Sequence, residues 1–234
     1  MATLYVVGTP IGNLEDVTLR ALKVLASVDL ILCEDTRVTR RLLERHSIKT
    51  KTLSYHAHSK LSRVDEIIGL LKEGKTLALV SDAGTPGISD PGTELVARIR
   101  ESLSGEISQG RLKIESVPGP SGLTAALSVA GVPCADFTFL GFLPHKKGRE
   151  TLFREIAASE RTVVFYESPH RIMKTLGSLT SHLKDAPDKR VTVCRELSKV
   201  FEEVVGGTAS EVLACFKSDP GTVRGEFVVI VSLL

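Results

Sequence analysis

Tryptophan is absent from this 234-residue chain, and aromatic side chains make up only 5% of it. That leaves too few rings for a broad stacking platform for single-stranded nucleic acid. No apolar run approaches the roughly 18 residues of a membrane span, so no membrane partner is expected. The first residues show neither a charged leader region nor a cleavage site, so no signal peptide is expected either. Cys33, Cys134, Cys194 and Cys215 are widely spaced, without a C-x-x-C pair and without histidine at metal-ligand spacing. The expectation is reduced, mostly buried thiols in a cytoplasmic protein, and no metal site. One sign of charge does not dominate: the formal net charge is +2. Any nucleic-acid binding must therefore come from a local patch and not from a global field.

Several motifs are missing too. No G-K-[ST] occurs, so phosphate chemistry of the Walker type has little support. After the first strand Gly8 is followed by Gly12 with Pro10 between them, which breaks the dinucleotide fingerprint. No G-x-S-x-G elbow of a serine hydrolase is present, and Gly119-Pro-Ser-Gly122 is too short to be one.

What the chain does have is three loops rich in glycine and proline, each following an apolar strand. Leu77 to Val80 empties into Ser81-Asp-Ala-Gly-Thr-Pro-Gly-Ile-Ser-Asp-Pro-Gly92, Leu4 to Val7 into Gly8-Thr-Pro-Ile-Gly-Asn13, and Lys113 to Ser116 into Val117-Pro-Gly-Pro-Ser-Gly122. Glycine lets backbone approach a ligand closely, and proline fixes a loop's shape in advance. In open α/β sheets such loops at the carboxyl ends of strands are where small molecules bind. For Pro118-Gly119 alone, tight packing between elements explains the residues equally well. The 81–92 loop carries acids and no lysine. Asp82 can accept from an amine or hydroxyls while backbone amides meet a carboxylate, so a zwitterion suits it better than a polyphosphate.

Strands expected at 3–7, 29–33, 52–54, 77–80 and 113–116 alternate with helices at about 16–27, 36–46, 61–73 and 92–103. Asp35 or Thr36 caps the second helix. This rhythm implies a mainly parallel sheet covered on both faces. A further helix spans 121–131. In the second half, strands are expected at Phe137–Leu140, Arg161–Tyr166, Val191–Arg195, Val200–Gly206 and Glu226–Leu233, two of them joined closely enough to pair antiparallel. Two lobes are therefore expected, 1–118 with a mainly parallel sheet and 119–234 with a mixed one. The polar stretch Ser102 to Arg111 reads as a surface excursion.

Arg37, Arg40, Arg41 and Arg45 fall on one side of the second helix, which suits phosphate contacts, although a solvated face partnered by Glu44 explains them as well. His145-Lys-Lys-Gly-Arg149 is a second basic run, in a loop. Tyr166-Glu-Ser-Pro-His-Arg171 and Arg195-Glu-Leu-Ser-Lys199 put charged groups just past strand ends.

Taken together, these segments, with Glu34-Asp-Thr-Arg37, Ser54-Tyr-His56, Leu140-Gly-Phe-Leu-Pro144 and Gly225-Glu-Phe227, closely resemble the ribosomal RNA small-subunit methyltransferase I family of the tetrapyrrole methylase superfamily. They stand in the same order along nearly the whole chain. The resemblance implies a two-lobe α/β, class III methyltransferase architecture, usually a homodimer, with S-adenosylmethionine in the inter-lobe cleft. It implies methylation of the ribose 2′-hydroxyl of a cytidine in the decoding region of small-subunit rRNA, as RNA or in the 30S subunit, with no role for DNA. By motif position the cofactor would touch Pro10, Asp82, Ala83, Gly84, Gly87, Ser121, Gly122, Glu167, Leu197 and Phe227. Charge and placement add candidates for the chemistry: Glu34 and Asp35 as bases, Arg37 and Lys199 as electrostatic partners, and His170 in reserve. Arg37, Arg40, Arg41 and Arg45 would hold RNA. Members of the family commonly continue past the Gly225-Glu-Phe strand into a small helical segment, so RNA docking here is expected to rest on the dimer and the arginine helix. A small-molecule methylase of the superfamily, or a non-catalytic RNA-binding assembly factor, would fit the same glycine loops.

Overall fold

The computed structural model describes residues 1–56, 59 and 61–233. Its contacts divide the chain into two compact units, Met1–Ser121 and Gly122–Leu234.

The first unit alternates strand and helix: β1 (Ala2–Val7), α1 (Leu19–Ser27), β2 (Leu30–Cys33), α2 (Thr36–Arg45), β3 (Thr52–Ser54), α3 (Leu61–Lys72), β4 (Thr76–Leu79), α4 (Gly92–Ser102), α5 (Ser104–Ser108) and β5 (Leu112–Val117). The strands form one sheet in the order β3-β2-β4-β1-β5 with every pairing parallel. Both faces are covered, and β4 shows why its sequence is continuously apolar. Leu77 and Leu79 enter a core with Ile67, Leu95 and Ile99 from α3 and α4, while Ala78 and Val80 enter another with Leu25 of α1 and Leu42 of α2.

Helix starts follow their caps. Thr18 accepts from the Ala21 amide and opens α1, after a single 3-10 turn at Leu14–Asp16, so the helix expected from residue 16 begins three residues later. Asp35 is the cap of α2, as its position suggested. The stretch 102–111 lies mostly at the surface, as expected, but it also holds α5, with Leu103 fully buried and Ile107 packed on the same core. The i, i+4 spacing of those two residues carries the helix through a polar, glycine-containing sequence.

The second unit opens with α6 (Gly122–Ala130) and continues β6 (Phe137–Phe142), α7 (Arg149–Ala158), β7 (Thr162–Glu167), α8 (Ile172–His182), β8 (Lys189–Arg195), β9 (Glu203–Gly207), α9 (Ala209–Ser218) and β10 (Phe227–Leu233). Its sheet runs β6-β7-β10-β8-β9 and is mixed: β6 is parallel to β7, and the other pairings are antiparallel. The sequence reading had named these strands but not α7, α8 and α9. The strand expected from Val200 begins only at Glu203, because Val200 and Phe201 lie in the turn before it, exposed. All four cysteines are free. Cys33 and Cys194 are buried, but Cys134 and Cys215 are exposed, so the thiols are not mostly buried.

One close approach fixes the carboxyl edge of the first sheet. A Cβ on Gly119 would stand 2.8 Å from the Gly8 carbonyl oxygen, and a Cβ on Gly8 would stand 2.8 Å from the Gly119 Cα. The Gly8 amide also donates to the Val117 carbonyl. Here close packing accounts for Gly119. Gly119→Ala should cost about 1–3 kcal/mol by overpacking against backbone that has little room to move, read as a lower urea midpoint at unchanged m-value.

Candidate active site

The three glycine-rich loops leave β1, β4 and β5, which are neighbours in the sheet, and they are tied to one another by backbone. Thr9 and Gly84 exchange amide-to-carbonyl hydrogen bonds of 2.9 and 3.1 Å. The Thr9 hydroxyl donates to the carbonyls of Ser81 and Gly84, and the Thr85 hydroxyl donates to that of Pro120. Gly84 and Gly87 take φ of +82° and +88°, in the left-handed region that glycine enters without penalty. Asp90 Oδ1 accepts from the amides of Gly87 and Gly92 at 2.8 and 2.7 Å, so this acid closes its own loop. Pro10, Asp82, Ala83, Gly84, Gly87 and Ser121 all lie on this knitted edge.

Beside it, at the carboxyl ends of β2 and β3, is an open cleft of about 420 Å³ lined by Glu34, Asp35, Thr36, Arg37, Ser54, His56 and Asp82. Its walls are cross-braced: Asp82 Oδ1 accepts from the Asp35 amide, and the Ser54 hydroxyl donates to the Glu34 carbonyl.

The acids of the cleft differ in what occupies them. Asp35 accepts from the Arg37 amide as helix cap, and also from Arg37 Nε and Nη2 in a two-point pair with a shortest contact of 2.6 Å. Those hydrogen bonds, side chain first, pull its carboxyl down to about 2. With both oxygens on Arg37 and its proton affinity lowered, Asp35 is a weaker candidate base than Glu34. Arg37, correspondingly, is neutralised by Asp35. Glu34 is the opposite case. Burial first, and then the charges of Asp82 and Asp90, hold its carboxyl above the usual range.

On α2, Thr39, Leu42 and Leu43 face the core, while Arg37, Arg40, Arg41 and Arg45 are exposed. Among the described residues, Arg40, Arg41 and Arg45 carry no ion pair, so Glu44 does not neutralise them.

Four expected residues of the second unit have side chains committed elsewhere. Glu167 has a fully buried carboxylate: Oε1 accepts from Arg171 Nε at 2.8 Å and from the Ser168 amide, and Oε2 accepts from the Thr175 hydroxyl at 2.6 Å with Arg149 Nη2 at 3.6 Å. That carboxylate is internal structure, with both oxygens bonded within the second unit. Lys199 is held between Glu196 and Glu226 at 2.9 and 3.0 Å. Burial works to lower its ammonium, but the bonds to those two carboxylates outweigh it and raise it. It is thus compensated and supplies no free positive charge. Leu197 and Phe227 are buried, Phe227 edge-on to Phe216. Glu196 and Ser198, flanking Leu197, both have positive φ, a strained backbone for residues with side chains. Gly122 lies beside the Tyr166 ring, and His170 is exposed ahead of α8.

This fold and this loop edge define a class. The sequence model of the tetrapyrrole (corrin/porphyrin) methylases matches residues 3–213. Among solved structures, uroporphyrin-III C-methyltransferase from Thermus thermophilus, complexed with S-adenosyl homocysteine, aligns over 99% of this chain and 97% of its own at a TM-score of 0.64 and 18% identity. The ribosomal RNA small subunit methyltransferase I of Thermotoga maritima is 45% identical over 99% of both chains. That of Neisseria meningitidis serogroup B is 43% identical over 97% of this chain and 75% of its own length. The chain belongs to the ribosomal RNA small subunit methyltransferase I family of the tetrapyrrole methylases.

The raised Glu34 carboxyl has a thermodynamic consequence. An acid held above its unfolded value favours the fold when protonated, and that contribution is lost as pH rises through the folded value. Glu34→Gln should therefore melt at a higher temperature than the wild-type chain at pH 7, the gap closing as pH falls below the ordinary glutamate range.

Proposed function

We propose that this protein methylates the ribose 2′-oxygen of a cytidine in the decoding region of small-subunit rRNA, using S-adenosylmethionine. The observation that carries the reading is the cleft beside the knitted loop edge, where one acid is left with raised proton affinity among partners that are already committed. Near-full-length identity to proteins named for small-subunit rRNA methylation supports the substrate class. A substrate on the small ribosomal subunit puts the enzyme in the cytoplasm.

The residues present fit a sulfonium zwitterion. The loop edge offers backbone held open by Gly84 and Gly87, and the cleft beside it is lined by Asp82, Glu34 and His56, with Arg37 paired to Asp35. When bound, S-adenosylmethionine supplies an electrophilic methyl group on sulfur. Pro10, Asp82, Ala83, Gly84, Gly87, Ser121, Gly122, Leu197 and Phe227 are the positions proposed to hold it, the last two by backbone.

The chain's own contribution is to position the ribose and take its proton. A ribose hydroxyl is a weak nucleophile, so a base within hydrogen-bond reach helps as the O–C bond forms. Glu34 is that base: its proton affinity exceeds that of an ordinary carboxylate, and its carbonyl is pinned by Ser54. The Asp35–Arg37 pair and the Asp82 bond to the Asp35 amide keep the peptide bearing Glu34 in place. Arg40, Arg41 and Arg45 hold phosphates. The homodimer that the family resemblance implies is part of the same reading, with exposed Val200 and Phe201 beside the edge strand β9 as available apolar surface.

The primary assay is methyl transfer from labelled S-adenosylmethionine to purified 30S subunits, with the product mapped by ribose-methylation-sensitive primer extension. Label on one decoding-region cytidine is expected, and label confined to a base or to another RNA would overturn the reading. Glu34→Gln should lower kcat by about 10²- to 10⁴-fold with cofactor affinity unchanged in calorimetry. In the wild-type enzyme, kcat should fall as pH drops through a value above the ordinary glutamate range, because the base must be unprotonated. The double variant Arg40→Glu, Arg41→Glu should weaken 30S binding at least about tenfold at low salt while sparing cofactor binding. Equal loss of both would make the helix face structural.

A further inference from the structure

The second unit contains a basic loop that neither the cleft nor the arginine helix uses. It runs from the end of β6 to the start of α7: Phe142-Leu143-Pro144-His145-Lys146-Lys147-Gly148. We propose that Phe142 and Lys146–Lys147 form a second RNA contact, a pre-shaped clasp for a single-stranded segment of the substrate. This proposal rests on the RNA-methylation reading above.

The first reason is how the loop is held. Arg171 Nη1 donates to the Leu143 carbonyl at 2.8 Å, and Arg149 Nη1 donates to the Pro144 carbonyl at 3.1 Å. Both guanidinium groups are anchored on the buried Glu167 carboxylate, and Arg149 also donates to the Thr175 hydroxyl at 2.7 Å and lies over the Phe153 ring. At the far end the Arg149 amide donates to the Lys146 carbonyl, and Gly148 turns into α7 with φ of +81°. Desolvating two arginines and a glutamate is costly unless all their bonds are met. Here those bonds are met partly by loop carbonyls, so the core network and the loop's shape are one device.

The second reason is what the loop presents. His145, Lys146 and Lys147 are all exposed, and among the described residues neither lysine has an acidic partner. The segment from Phe142 to Arg149 contains no Asp or Glu. Two like charges side by side repel, and a fixed loop that keeps them together is fitted to a polyanion.

The third is Phe142. Its side chain is 54% exposed in a chain where rings are scarce, and it is not loose. Its ring centroid is 5.4 Å from that of Tyr166, which is also in edge contact with Phe139 at 5.0 Å. An exposed ring propped from behind is a stacking surface for one base, and lysines a few residues away suit the adjoining phosphates. Duplex RNA would offer its backbone to the lysines but no unstacked base to the ring, so a single strand is the better fit.

The test is fluorescence anisotropy with a labelled single-stranded oligoribonucleotide of decoding-region sequence and with a blunt duplex of equal length. Calorimetry with S-adenosylmethionine and 30S methylation are run on the same proteins. Lys146→Glu, Lys147→Glu should weaken single-strand binding at least about tenfold. Lys146→Ala, Lys147→Ala should reduce the salt slope, log K against log salt, by about 1.4. Phe142→Ala should cost roughly tenfold on the single strand and nothing on the duplex. Cofactor affinity should not move in any of the variants, and the lysine variants, whose side chains are exposed, should keep the wild-type melting temperature. Wild-type binding that the variants leave unchanged would overturn the clasp while leaving the methyltransferase reading intact. A wild-type protein that neither binds RNA nor labels 30S subunits would overturn both.

Discussion

The contact on which the first unit depends is backbone against backbone, Gly8 on Gly119, with no side chain between them. Because β1 is an interior strand and the edge strand β5 lies beside it, this contact sets how closely the loops after those strands approach. The third loop is then brought in from β4, the other neighbour of β1, by the reciprocal Thr9–Gly84 bonds and the Thr9 hydroxyl. A side chain at either glycine would push the loops after β1 and β5 apart and misplace the loop after β4. The edge is rigid for the same reason: the loops satisfy one another's backbone groups, so few remain that need a ligand to order them.

Rigidity of that kind allows neighbouring carboxyl groups to differ. Asp35, Asp82, Asp90 and Glu34 sit on adjoining loops, yet three of them are tied to backbone amides or to a guanidinium. Asp90 holds glycine amides, Asp82 holds the Asp35 amide, and Asp35 caps a helix and binds Arg37. Each of these bonds is strongest to an ionised carboxylate. After burial, the charges of Asp82 and Asp90 are what raise Glu34. The division of roles comes from environment, and four carboxyls of the same type would be alike without it.

Much of the fold could be read from the chain because its punctuation is local. Gly-Pro loops after apolar runs marked β1, β4 and β5, and burial on both faces of β4 is what the apolar run Leu77 to Val80 said. Less could be read where the signal was thin. α9 had one: Thr208 and Glu211 form a reciprocal capping box, visible as a threonine three residues before a glutamate. α5 hid behind serine and glycine, with only Leu103 and Ile107 to mark its buried side. The roles of charged residues were least legible. Lys199 is neutralised by Glu226, 27 residues further along, and Glu167 is enclosed by Arg149 and Thr175 from two different helices. Sequence shows that a charge is present, while its partner is decided by topology.

That limit explains why the bonding of the Tyr-Glu-Ser-Pro-His-Arg segment could not be read from its charges. An acid just past a strand end is where reacting groups gather, and by that logic Glu167 belonged to a site. In the structure its neighbours Arg149 and Arg171 reach past it to the carbonyls of Leu143 and Pro144, and the carboxylate exists to hold them there. The segment thus acts at one remove. Removing Glu167 would leave two buried cations unpaired and free the foot of the 143–148 loop, so its effect on any ligand would travel through that loop's shape. A buried ion network of this kind adds little stability over an apolar replacement, and this one is bonded to the carbonyls of the most basic exposed loop of the second unit.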